Sequence, residues 1–241
     1  MTKRMVLVLA LVVMVGVVAC GLAADAPKEK PKSNVIANAP LKAEKVKAVK
    51  AVALARDLAA YAEEKKSPML MAACAEILID NPSSEVDPKN VQAAPATRPA
   101  QVELRQPVLD IAKMLADALK LAAENKDVQT FVKKVQDRVP DATRGPVLGP
   151  QRAVGIALAG MWVSYSIPFK ADETACVYLQ AGNPFAILKL YVYDENGNLI
   201  TSDTENAAIA ECKWTPAWTG KFTVKVVNAG LVDTDFAIIM Y

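Results

Sequence analysis

The chain has 241 residues, 28 Lys plus Arg against 26 Asp plus Glu, and no histidine. Without His, a Ser-His-Asp triad, a Cys-His dyad, a His-ligated zinc and a proximal haem histidine are all excluded. A formal net charge of +2 is too small to point to nucleic acid as a partner.

The chain opens as an export signal. Lys3 and Arg4 precede residues 5–19, an apolar run with one glycine. Basic start, apolar middle and small residues afterwards make a secretory signal over residues 1–24. The run is shorter than the roughly twenty residues a spanning helix needs. Val17-Val18-Ala19-Cys20 followed by Gly21 resembles the bacterial lipobox, in which the chain is cut before a Cys that is then acylated. That resemblance makes Cys20 the lipidation candidate. A cut after Ala23 or Ala24 is the alternative. Either way the protein is exported, to the periplasm or outer cell envelope, with a membrane anchor if Cys20 carries lipid. Residues 25–40 (DAPKEKPKSNVIANAP) have little to bury and read as a flexible tether.

The rest divides in two. Twelve of the fourteen aromatic residues lie in 162–241. Residues 25–140 carry a net charge of +3 and residues 141–241 a net of −3. Good helix formers give way to good strand formers. The first half, 41–139, reads as a small helical domain. Val46, Val49, Val52, Ala53, Leu58 and Tyr61 recur at helical spacing over residues 41–64. Ser67-Pro68 restarts a helix, with Ser as N-cap and Pro in first position. Pro82, Pro88, Pro95 and Pro99 mark 82–101 as a linker. A third helix starts at Pro107, and Asp127 caps a fourth. Residues 62–78 and 122–138 align without gaps as a weak repeat, so two α-hairpins packed together are expected. Pro140, Gly145, Pro146, Gly149 and Pro150 then mark a Gly/Pro linker over 140–152.

Residues 153–241 read as a β-sandwich. Residues 153–163 suit a first core strand. Seven further stretches, 163–169, 175–180, 187–193, 199–201, 209–214, 221–227 and 236–241, have strand composition. Phe222, Val224 and Val226 alternate cleanly inward. Asn196-Gly197 centres a turn. Short strands at this spacing predict an antiparallel sandwich. The fold class is thus α+β with the two kinds of structure segregated: helices first, then a jelly-roll-like sandwich.

The residues of the sandwich also carry a family resemblance. Leu190, Tyr191, Val192, Tyr193, Asp194, Asn196 and Gly197 form one motif; Trp214, Pro216, Gly220, Phe222, Val224, Val226, Asn228 and Gly230 form a second. With a closing hydrophobic strand, they make residues 160–241 resemble the bacterial pre-peptidase C-terminal domain. Lys189 stands where that family often has Asp. The resemblance implies a jelly-roll module of the kind that accompanies peptidases, assists secretion or binds extracellular partners. No peptidase motif, GxSxG or HExxH, precedes it here.

Candidate sites are few. Cys176 and Cys212 fall in predicted strands, and export permits their pairing as a disulfide. Cys74 reads as a small core residue. Asp194, Asn196, Asn198 and Asp203 are a weak calcium candidate; the alternative is a plain turn. Trp218, Tyr191 and Tyr193 are candidates for stacking on a sugar. No catalytic residue and no other cofactor is singled out. The reading is a non-enzymatic exported envelope protein, a binding or assembly module on a helical base. Its partner is another envelope or secreted protein, or a glycan, and not nucleic acid. The alternatives are an accessory module of a secreted hydrolase and a carbohydrate-binding module.

Overall fold

A computed structural model describes residues 31–96, 98–107, 109–139 and 149–241. The signal peptide with Cys20, the first part of the tether, and 140–148 of the second linker lie outside the described residues. Four helices come first: α1 (Ala43–Lys65), α2 (Pro68–Asp80), α3 (Ile111–Leu121) and α4 (Lys126–Asp137). The Ser67 hydroxyl accepts from Leu70 N–H, as the Ser-Pro pair predicts. The later caps differ from expectation. Asp110 caps α3 through Lys113 N–H, and Asn125, not Asp127, caps α4 through Val128 N–H. No helix among the described residues is long and apolar enough to cross a membrane.

Ten strands form two five-stranded sheets. In chain order they are β1 (Ser84–Glu85), β2 (Val91–Ala93), β3 (Gln151–Ala157), β4 (Trp162–Phe169), β5 (Ala175–Ala181), β6 (Leu188–Tyr193), β7 (Leu199–Ala207), β8 (Ile209–Trp214), β9 (Gly220–Asn228) and β10 (Thr234–Met240). One sheet runs β1-β3-β10-β5-β8 and the other β2-β4-β9-β6-β7. From β3 onward this is the strand order of an eight-stranded jelly roll. Between the sheets lies a core of alternating inward residues. At its centre Phe222 packs against Trp214 and Phe169, ring centroids 5.4 and 5.7 Å away.

The stretch 82–101 is more than the linker expected from its prolines. It gives β1 to the edge of one sheet, parallel to β3, and β2 to the edge of the other, antiparallel to β4. After β2, Arg98 grips Asp233 through two hydrogen bonds of 2.7 and 2.6 Å. Gln101 N–H donates to the same carboxylate and Arg105 N–H to Asp235. The Arg98 pair, with donors from Ala159 and Gln101, holds the Asp233 carboxyl well below the ordinary range although burial opposes this.

The helical half is not a free-standing domain; residues 31–241 form one compact unit. Val49, Val52, Ala53 and Ala55 of α1 share a cluster with Cys176 and Ile239 of the sheet containing β10, and with Cys74 and Leu78 of α2. The alanines let α1 approach both layers closely. A second cluster joins the end of α1 to α2, α3 and α4. Every residue of β10 is therefore buried, with the sandwich core on one face and helices on the other. β6, in the opposite sheet, alternates strictly between buried and half-buried. Such alternation marks a sheet packed on one face only.

Candidate functional site

Two surfaces could carry function: one end of the sandwich and the outer face of the sheet containing β6.

The end is organised by the turn between β6 and β7. Asp194 accepts from Asn196 N–H at 2.9 Å, from Asn198 N–H at 2.8 Å and from the Asn198 amide at 2.9 Å. Gly197 adopts φ +79°, a left-handed conformation that suits glycine. A fourth donor comes from far away: Asn34 N–H reaches Asp194 at 2.9 Å. Asn34 itself is fully buried. Its amide donates to the Trp218 carbonyl at 3.1 Å and to Glu195 at 3.3 Å, and its carbonyl accepts from Trp218 N–H at 2.9 Å. The Trp218 indole donates to Glu195. Ile36 N–H bonds the Thr215 carbonyl, and the amides of Asn196 and Asn198 reach the carbonyl of Lys32.

Three of the four calcium candidates and one stacking candidate thus converge, but on the chain's own residues 31–36. This corrects the tether reading for the described part of 25–40, which is docked on the sandwich. It also gives the Asp194 carboxylate four N–H donors. Burial opposes ionisation of Asp194. The bonds from the Asn198 amide and from the N–H groups of Asn34, Asn198 and Asn196 outweigh it and keep the carboxyl below its usual range. Asp203 belongs elsewhere; it accepts from the N–H groups of Glu205 and Glu211. No three His, Cys, Asp or Glu side chains among the described residues are grouped to hold a metal.

The disulfide is corrected outright: Cys176 and Cys212 are free. β5 and β8 do pair, but the register sets Cys176 opposite Lys213 and Cys212 opposite Val177. Side chains alternate along a strand. Cys212 therefore faces the sandwich core and Cys176 faces α1. Burial pushes the Cys212 thiol up to about 11 and the Cys176 thiol up to about 12.

The second surface is open. Val163, Tyr165, Val224, Val226, Leu190 and Val192 point inward. Their neighbours Trp162, Ser164, Thr223, Lys225, Tyr191 and Tyr193 therefore face outward. Register aligns Ser164, Lys225 and Tyr191 in one row across β4, β9 and β6. Tyr191 stacks on Tyr193, centroids 6.4 Å apart and planes at 21°. Lys225 Nζ sits 4.8 Å from the Trp162 ring centroid. The stacking candidate Tyr191 is thus part of an aromatic and cationic face, while Trp218 is held at the turn. Sequence reasoning named Tyr193 with Tyr191 but passed over Trp162 and Lys225. Their signal was strand parity, since each lies one residue from an inward apolar position.

No family model matches this chain, and no curated protein matches it. Among solved structures it is similar to the pre-peptidase C-terminal domain of a Bacillus anthracis collagenase, at TM-score 0.33 and 13% identity, over 37% of this chain and 87% of that one. The Yersinia pseudotuberculosis-derived mitogen is matched at TM-score 0.32 and 13% identity, over 38% and 83%. A carbohydrate-binding module of a Cellvibrio mixtus lichenase, solved with cellotriose, is matched at TM-score 0.26 and 10% identity, over 37% and 85%.

Proposed function

We propose that this is an exported, non-enzymatic cell-envelope protein whose sandwich is a binding module for a glycan. The observation that carries the reading is the asymmetry of the two sheets. One is covered by α1; the other leaves Trp162, Tyr191, Tyr193 and Lys225 on an uncovered outer face. Aromatic rings offer flat apolar surface to the C–H faces of a sugar, while Lys225 and Thr223 supply hydrogen-bonding groups for its hydroxyls. The basic start and apolar run of residues 1–19 support export. Cys20 supports lipid anchoring; Cys20→Ser should then release the protein from membranes. The absence of His supports a binding role over His-dependent catalysis.

Glycan-array screening followed by calorimetry on the best ligand tests the glycan reading. Tyr191→Ala and Trp162→Ala should each weaken binding at least tenfold, about 1.4 kcal/mol, with the melting temperature nearly unchanged. A ligand whose affinity neither substitution moves refutes this face as the site. A protein partner is the second reading, and a separate surface favours it. Phe185 and Leu231 are 88% and 97% exposed. Their loops are tied together by the bond from Ala229 N–H to the Ile187 carbonyl, 2.8 Å. Phe185→Glu abolishing co-purification with a secreted hydrolase or an envelope protein would support it.

A further inference from the structure

The strap of residues 98–107 does more than dock on Asp233 and Asp235. Between it, α1 and the outer face of β3 and β10 lies a cavity of about 340 Å³. Leu104, Pro107, Leu109, Val154 and Ile239 line it. Leu104 and Val154 are the exposed members of this wall. The strap is held in place by the bonds of Arg98, Gln101 and Arg105 to Asp233 and Asp235, so the cavity is built into the fold.

The polar part of the wall is two arginines, Arg56 and Arg152, with Glu85 and Gln106 beside them. Arg56 is only 3% exposed. Its Nε and Nη2 both donate to Asp57 Oδ1, at 3.1 and 2.6 Å, and Nη2 also donates to Gln180. Its Nη1 is buried and has no hydrogen-bond partner among the described residues. Arg152 donates to Glu85 at 2.6 Å and to the Leu109 carbonyl at 3.0 Å. The Asp57 and Glu85 side chains are half or more exposed to water. An unpaired guanidinium donor in a protein interior is rare and is normally matched by an acceptor. A carboxylate is the acceptor that best fits its fork.

We propose that this cavity binds a medium-chain aliphatic carboxylate, the head group on Arg56 and the chain along Leu104, Val154 and Ile239. The cavity, about 340 Å³, has room for such a chain. Charge and apolar wall act together, so neither a neutral head group nor a short acid should suffice. The site is separate from the open sheet face and does not depend on the glycan reading.

The test is calorimetric titration of the full chain with hexanoate, octanoate, 1-octanol and N-acetyl-Leu-Leu. Octanoate should bind with one site per chain and more tightly than hexanoate, by about fourfold per methylene. Octanol should bind at least tenfold more weakly. Arg56→Met should reduce octanoate affinity at least tenfold. Val154→Trp, which fills the cavity and leaves Arg56 in place, should do the same and decides the matter if Arg56→Met does not fold. Equal binding of octanol and octanoate, tighter binding of the peptide, no saturable binding of octanoate, or octanoate binding unchanged in Val154→Trp would each overturn the proposal.

Discussion

Asn34→Ala isolates the docking of the N-terminal segment. The substitution removes three side-chain hydrogen bonds from a residue with no exposed surface. It keeps the bond from the residue 34 N–H to Asp194, because that bond is made by the backbone. At about 1 kcal/mol net for each of the two bonds to Trp218, plus a further share for the weaker one to Glu195, the direct loss is about 2–3 kcal/mol. The Trp218 N–H and carbonyl would then be buried without partners, which adds to the cost. That addition is limited, since residues 31–36 can detach and admit water to Trp218 for no more than the free energy of docking. Urea unfolding followed by tryptophan fluorescence should therefore show a loss of about 2–3 kcal/mol. Trypsin cleavage at Lys32 should accelerate in native buffer. Asn34→Asp should be worse at neutral pH, because it places a third carboxylate beside Asp194 and Glu195, both of which hydrogen bonds hold below their usual range against burial. A loss under about 0.5 kcal/mol, with cleavage unchanged, would refute the view that Asn34 fastens this segment.

Two further outcomes follow from the cysteines and one ion-pair network. Burial is the main reason that the thiols of Cys74 and Cys212 lie at about 11 and that of Cys176 at about 12. Iodoacetamide at pH 8 should leave all three unmodified in the folded protein and label all three in urea; recovery of a Cys176–Cys212 cross-linked peptide would contradict the register. Glu173 receives hydrogen bonds from Lys170 and then Lys45, which lower its carboxyl to about 2. A folded-state value below the unfolded one means the stabilisation is present at neutral pH and is lost as pH falls from about 4.5 towards 2. Glu173→Gln should flatten the stability curve across that window. It should cost no more than about 1 kcal/mol at pH 7, since the network is partly exposed. An unchanged acid limb would remove Glu173 from the account.

Much of the fold was legible because it rests on local rules. The Ser67 cap, the alternation of residues 221–227 and the Asn-Gly turn all signal their structure within a few residues, and the structure contains each. The strands β1 and β2 were not legible. They are two and three residues long, sit in a proline-rich stretch and owe their conformation to partners more than sixty residues away. The docking of residues 31–36 was hidden for a related reason: Asn34 looks like any polar tether residue until Trp218 and Asp194 are brought beside it. The cysteine pair shows a different limit. Strand assignment alone allows Cys176 and Cys212 to meet, yet parity does not, because Val177 and Leu179 claim the core face of β5. The weak repeat also depends on register. The gapless alignment pairs Ser67 with Asp127, whereas the caps are Ser67 and Asn125, so the two hairpins are offset by two residues.

The central position of β10 also sets an order of events in folding. It is the last of the ten strands among the described residues, yet it pairs with β3 on one side and β5 on the other, and α1 rests on its outer face. Until residues 234–240 have arrived, β3 has no partner on its inner side and α1 has no complete floor. Contacts of such long range close late and slowly. A nascent chain should therefore stay without its sandwich until residues 234–240 have been made.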